Sequence, residues 1–207
     1  ISLNPKFGFS YNLIKYGIIG FFYELESTKL LDTSQFTNAT VLPSFSDAKT
    51  NSYGISYEWN NLDNFLLPHK GIMISLESSA GNKKINPILA PELYESVKLQ
   101  TLQIQGEGKI ENFLALHKSV TLMQRVSGAW IVNDRLFFND LYRIGGINSL
   151  RGFREQSFFA SRYLIETAEL RIFTEETSYF MIFADFGQYI TEVEGAWEEN
   201  YPLGFGG

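Results

Sequence analysis

Asn51-Ser52-Tyr53-Gly54-Ile55-Ser56-Tyr57-Glu58-Trp59 alternates without a slip. Tyr53, Ile55, Tyr57 and Trp59 fall on one side of an extended chain, and Ser52, Gly54, Ser56 and Glu58 on the other. Successive side chains of a strand point to opposite faces, so a period of two reads as a strand with one apolar and one polar face. The same period recurs on both sides of this stretch. Upstream, Phe7, Phe9 and Tyr11 oppose Gly8, Ser10 and Asn12; then Lys15 to Glu26 puts Ile19, Phe21, Tyr23 and Leu25 together, although Ile18 and Phe22 blur the pattern. Downstream, Gly71 to Ala80 sets Ile72, Ile74 and Leu76 against Met73, Ser75 and Glu77. Val97 to Ile110 and Phe113 to Val126 follow, separated by an expected tight turn at Glu111-Asn112. Arg162 to Phe173, a turn at 174–177, and Ser178 to Gly187 complete eight runs, and Gly204 to Gly207 reads as the start of another. Helical periodicity is scarce; the best candidate is a single turn in Ala90 to Ser96.

These runs of about nine to fourteen residues exceed the five or six usual in soluble proteins and suit a tilted strand that crosses a bilayer. Connections sort by length. Short ones fall near residue 13 and at 60–69, 111–112 and 174–177; long ones fall at 27–50, 81–96, 127–160 and 188–203. Outer-membrane barrels have short turns at one end and long loops at the other. The composition agrees. The 207 residues include 18 Phe, 11 Tyr and 3 Trp, yet no apolar run approaches the ~18–20 residues of a membrane helix. A net charge of −6 argues against a nucleic-acid surface, and zero cysteines exclude a disulfide framework or thiolate metal site. No signal peptide is visible at Ile1-Ser2-Leu3-Asn4-Pro5. The expected fold is all-β, a transmembrane antiparallel barrel.

Lipid offers no hydrogen bonds, so polar side chains belong on the lumen side. Gln103, Gln105, Glu107, His117, Ser119, Thr121 and Arg125 are assigned there; Lys118 and Gln124 break the rule. In Ser178 to Gly187 the face Phe180, Ile182, Ala184 and Phe186 is apolar throughout, which turns Asp185 inward beside Tyr179, Met181 and Phe183. Thr167, Glu169 and Arg171 likewise oppose Leu164, Ala168, Leu170 and Ile172, although Glu166 sits on the apolar parity. Two carboxylates on neighbouring strands thus face one lumen patch.

The long connection at 127–160 contains Arg143-Ile144-Gly145-Gly146-Ile147-Asn148-Ser149-Leu150-Arg151-Gly152-Phe153-Arg154. A glycine pair ahead of Arg-Gly-Phe resembles the signature of the BamA/TpsB outer-membrane translocase superfamily, the surface-antigen barrels. Phe183-Ala184-Asp185-Phe186-Gly187 resembles its second signature, and Glu169 in Ala168-Glu169-Leu170-Arg171 stands where an inward acid is common. Tyr57 to Gly71, with Asp63-Asn64 and Pro68-His69-Lys70-Gly71, resembles a strand–turn–strand unit of the same barrels. The resemblance covers Lys6 to Gly207.

It implies a partial barrel domain over 1–207, about strands six to thirteen and the start of fourteen of a sixteen-stranded barrel, with the remaining strands and the periplasmic POTRA domains outside it. It implies that the extracellular loop at 127–160 folds into the lumen. Gly145, Gly146 and Gly152 would shape the tip, Phe153 would pack on the inner wall, and Arg151 would meet Glu169, Phe183, Asp185 and Gly187 of the wall. A guanidinium with five donors in a planar fork suits two carboxylates. The implied function is assembly of outer-membrane proteins or secretion through the barrel, in a Gram-negative or organellar outer membrane. Partners would be unfolded client proteins, the lipid bilayer, and accessory lipoproteins or periplasmic chaperones. Branches fused to a patatin-like lipase are not separable from the rest. Two other readings remain open, a passive porin or structural barrel and a soluble β-sandwich binding module.

Read alone, Arg151 would be a solvated loop arginine, Asp185 the start of a turn, and Glu169 with Arg171 a cross-strand charge pair. No enzyme is expected. His69 and His117 are too scattered for a metal site, Glu58 and Glu107 have no nucleophile beside them, and Ser149 and Ser161 lack a partner histidine. No phosphate-binding glycine loop is present, and no cofactor is implied.

Overall fold

Strict alternation commits one face of every strand to an apolar surrounding, so each strand must find its backbone partners sideways. The computed structural model describes residues 2–29, 45–87, 94–95, 97–175, 177–193 and 195–207, and among these the chain forms an antiparallel meander. Its elements are β1 (Ser2–Leu3), β2 (Lys6–Ile14), β3 (Gly17–Thr28), β4 (Asp47–Asn60), β5 (Gly71–Asn86), β6 (Gln100–His117) and β7 (Val120–Val132). A short hairpin of β8 (Tyr142–Ile144) and β9 (Phe158–Ala160) follows, then β10 (Arg162–Glu175), β11 (Ser178–Val193), β12 (Ala196–Asn200) and β13 (Leu203–Gly206). The main sheet runs β3-β4-β5-β6-β7-β10-β11; β1 and β2 both pair with β3, and β12 and β13 both pair with β11. Each of these doubled partners is one strand course interrupted at a proline, Pro5 or Pro202, which cannot donate to a ladder. The ladder resumes around each break: the Leu25 N–H donates to the Pro5 carbonyl at 3.0 Å, and the Gly187 N–H to the Pro202 carbonyl at 2.9 Å.

The outer face is apolar and bare. Phe9 is 70% exposed, Tyr53 72% and Phe180 72%, and among the described residues no second sheet covers them. That removes the β-sandwich reading, which needs a buried apolar face. Aromatic pairs line this surface across strands: Phe9 with Phe21 at 5.5 Å, Tyr23 with Tyr53 at 5.0 Å, and Tyr16 with Trp59 at 5.7 Å. Phe22, which blurred the pattern of its strand, points the other way and lies over Gly54, where an added Cβ would meet its ring at 2.0 Å. The inner face is concave. Lys6 of β2 pairs with Glu77 of β5 across the two intervening strands, a reach of three steps of about 4.8 Å that a flat sheet would not allow.

Several expected boundaries are corrected. The turn at Glu111-Asn112 does not exist; β6 runs straight through it to His117, and the hairpin turn is at Lys118-Ser119. Asn112 looked like a turn former, but it stays in the ladder opposite Gln124, whose side-chain oxygen accepts a hydrogen bond from its amide at 3.4 Å on the outer face. Lys118 is therefore a turn residue with Ser119, and His117 ends β6 beside it, so His117 and Ser119, expected in the lumen, lie at the hairpin end, where the Ser119 N–H approaches the His117 ring at 3.5 Å. The loops are shorter than expected because the strands rise past the apolar band. β3 continues to Thr28 and β4 begins at Asp47, β5 continues to Asn86, and β7 continues to Val132. The stretch expected as a loop at 188–203 is instead the end of β11 and all of β12, joined through Gly195. The helical turn expected in 90–96 lies outside the described residues, except for Tyr94 and Glu95.

The segment between β7 and β10 folds back over the inner face. Phe137 and Leu150 are fully buried, and three apolar clusters join loop to wall. Ile144, Leu150 and Ala160 meet Ile165 and Tyr189; Phe137 meets Ile85; Leu136 and Leu141 meet Ile131.

Candidate functional site

The loop tip is built from its own side chains before it touches the wall. β8 and β9 pair Tyr142 with Ala160 and Ile144 with Phe158, which closes a small hairpin with residues 145–157 as its tip. The Ser149 hydroxyl accepts from the Gly145 N–H at 2.8 Å, the Gly146 N–H donates to the Leu150 carbonyl at 3.0 Å, and the Glu155 carboxylate accepts from the Ile147 N–H at 2.9 Å. Gly145, Gly146 and Gly152 all have positive φ. At Gly146, with φ +93°, a Cβ would stand 2.1 Å from the Glu155 carboxyl carbon, so the glycine serves both the turn and the Glu155 cap.

This tip presents Arg151 to β10 and β11. The register pairs Thr167 with Asp185 and Glu169 with Phe183, which puts the two acids on the same inner face two positions apart. Arg151 Nε donates to Asp185 Oδ2 at 2.8 Å, Nη2 to Asp185 Oδ1 at 2.8 Å, and Nη1 to Glu169 Oε2 at 2.6 Å. The Arg151 backbone N–H also donates to Asp185 Oδ2, at 3.0 Å. The guanidinium lies over the Phe183 ring at 3.7 Å, within the range of a cation–π contact. The side chain of Arg151 is 12% exposed, that of Glu169 4% and that of Asp185 0%. Bidentate, charge-assisted bonds of this kind are about twice as strong as neutral ones and fix orientation as well as distance.

The wall is shaped to receive the loop. At Gly187 a Cβ would crowd Leu150, at 3.3 Å, and Pro202, at 3.1 Å. Phe153 packs on Phe158 at 5.1 Å and joins the cluster of Ile165 and Tyr189, so it reaches the wall through a second loop aromatic. All nine expected site residues, Gly145, Gly146, Arg151, Gly152, Phe153, Glu169, Phe183, Asp185 and Gly187, thus lie in one continuous assembly of loop tip and wall.

Sequence reasoning missed three contributors. Arg171 Nε donates to Glu169 Oε1 at 2.6 Å, so Glu169 is shared between a wall arginine and the loop arginine. The alternation sets Arg171 on the face of Glu169, but it does not reveal a second cation on the same carboxylate. Gly204 of β13 lies against Arg151, where a Cβ would meet the Arg151 carbonyl oxygen at 1.9 Å. Finally, the base of the loop has polar ties of its own to β5 and to the residue ahead of β4, at Lys83 and Ser46. Chemically, the site holds ion pairs in which all four carboxylate oxygens of Glu169 and Asp185 face an arginine donor, an arrangement suited to binding and holding.

No curated protein matches the chain. The family model described as the Omp85 superfamily domain matches residues 3–202. That match spans the strands from β2 to β12, the inward loop and both acids that receive Arg151, as the resemblance to the BamA/TpsB translocases implied. This protein belongs to the Omp85 superfamily, whose outer-membrane β-barrels insert or translocate other proteins.

Proposed function

We propose that this chain is the loop-bearing part of a sixteen-stranded outer-membrane barrel that assembles outer-membrane proteins or exports a partner protein, and that Arg151 holds the inward loop on the wall for that purpose. The observation that carries the reading is the meeting of one guanidinium with two buried carboxylates and an aromatic face. A freely conducting pore gains little from a loop held in its lumen by a buried ionic contact. An insertase or exporter does, because its lumen must stay occupied until a client arrives. No nucleotide is available in the outer membrane, so the work comes from the client's own folding and strand pairing. Clients are unfolded outer-membrane or secreted chains, with accessory lipoproteins or periplasmic chaperones delivering them.

The test is Arg151→Ala in the full-length protein in a bilayer. Breaking a buried ion pair by removing one partner costs about 3–5 kcal/mol. Amides 145–157 are expected to lose hydrogen-exchange protection, the barrel to melt earlier, and crosslinks to client chains to fall. Wild-type protection and melting in this variant would refute the role of Arg151. Steady conductance with no client crosslinks in the unaltered protein would favour the passive barrel.

A further inference from the structure

The base of the loop carries a group that the Arg151 contact does not explain. Lys83 of β5 is fully buried, and its ammonium pairs with the Asp140 carboxylate on the loop. A lysine almost never buries completely without a partner, and an unpaired charge there would be very costly. Asp140 Oδ2 also accepts from the Phe137 N–H at 2.7 Å and so closes the short 3-10 turn Phe138–Asp140. Next to it, Asn139 makes a two-way contact with buried Ser46, just ahead of β4. The Ser46 N–H donates to Asn139 Oδ1 at 3.1 Å, and Asn139 Nδ2 donates to the Ser46 carbonyl at 3.0 Å. Phe137, fully buried, packs with Ile85 two residues beyond Lys83, and Phe138 meets Phe45 at 5.8 Å.

We propose that Lys83, Asp140, Asn139 and Ser46 form a second latch, and that they are positioning residues which make the loop a tie across the arc. The Arg151 contact is on β10 and β11; this one is on β5 and the entry to β4. The sheet order puts β6 and β7 between them. From β4 to β11 there are five strand steps, an arc of about 24 Å at about 4.8 Å per step. The eleven residue steps from Asp140 to Arg151 reach at most about 36–40 Å when extended, which is long enough to bridge this arc even with the β8–β9 turn folded into it. Pinned at both ends, it holds the curvature of the wall. Released at one end, it stays in the lumen but no longer sets that curvature.

This inference rests on the docked-loop reading above, and the experiment separates the two. In the full-length protein in a bilayer, Asp140→Asn is compared with Arg151→Ala and with both together. The double change Lys83→Met/Asp140→Asn is a further arm that leaves no lone buried charge, should Asp140→Asn alone misfold. Hydrogen exchange reads the loop, and spin labels at Tyr53→Cys and Phe180→Cys, both on the outer face, read the arc. Asp140→Asn is expected to speed exchange of amides 136–141 at least about tenfold while 145–157 stay protected. Arg151→Ala should do the reverse, and either should broaden the label distance distribution while the barrel still folds. Unchanged exchange at 136–141 in both Asp140 arms, with Arg151→Ala still releasing 145–157, overturns the second latch alone. Release of the whole of 136–157 by Arg151→Ala also overturns it, because a single contact would then hold the loop. No effect from any variant overturns the docked-loop reading as well.

Discussion

Arg151→Lys keeps the charge of the loop tip and removes its fork. The arginine places three N–H groups on three carboxylate oxygens at 2.8, 2.8 and 2.6 Å. An ammonium is a compact point donor, and from one position it satisfies one of these well. Two bonds to charged groups are then lost, each contributing about 1.5–3 kcal/mol. The remaining charge still attracts both acids, and the Arg151 backbone N–H still donates to Asp185, so the low end of about 3 kcal/mol is the better value. That is rather more than a hundredfold in the opening equilibrium of the tip, at about 1.4 kcal/mol per factor of ten. The assay is hydrogen exchange of amides 145–157 in the full-length protein. The expected order of protection is wild type, then Lys, then Ala, with Lys nearer to Ala. Protection within about threefold of wild type in the lysine variant, beside a strong loss in Ala, would refute the argument that fork geometry holds the loop.

Gly204→Ala tests the close approach of β13 to the loop. The new methyl would collide with the Arg151 carbonyl oxygen, a backbone atom that cannot step aside, and overpacking of this kind costs about 1–3 kcal/mol; a lower barrel melting temperature and weaker protection at Arg151 are expected, and no change in either would show that the strand moves freely. The turn between β4 and β5 supplies a pH prediction. Burial acts to raise the pKa of Asp63, but N–H groups of Lys70, His69 and Asn64, with the His69 charge, outweigh it and hold the carboxyl below its ordinary value. A lowered folded pKa means that the stabilisation is complete above the ordinary value of about 3.9 and is lost as pH falls through the folded one. Amides 69 and 70 should therefore lose protection on acidification below about pH 4, and Asp63→Asn should flatten that response; a wild-type acid profile in the variant would assign the effect to another group.

Much of this arrangement was legible in residues whose parity had only one physical solution. Phe180, Ile182, Ala184 and Phe186 leave no choice but to turn Asp185 inward, and Leu164, Ala168, Leu170 and Ile172 do the same for Glu169. Errors came where a polar residue kept its place in a ladder. Asn112 reads as a turn former, yet opposite Gln124 it has a polar neighbour and the strand continues. Lys83 reads as loop because two lysines follow Gly81-Asn82, but Gly81, Lys83 and Ile85 hold the inward parity of β5 past the apolar band. Its partner Asp140 lies 57 positions away, and no local pattern connects them. Glu192 and Thr191 hid the end of β11 in the same way, since strand residues above the membrane no longer need an apolar side.

The sharing of Glu169 has a consequence for what remains when the loop departs. One carboxylate oxygen faces Arg151 and the other faces Arg171, which sits on the wall itself near the rings of Phe113 and Tyr179. On the mechanism proposed above, withdrawal of the loop frees Glu169 Oε2 but leaves Glu169 paired with a resident cation, and of the two acids only Asp185 loses its cation altogether. The vacated wall would then carry one acid without a cation, Asp185, aimed at the place the guanidinium left. In that mechanism, such a mooring lets the loop leave and return without Glu169 changing its resident partner.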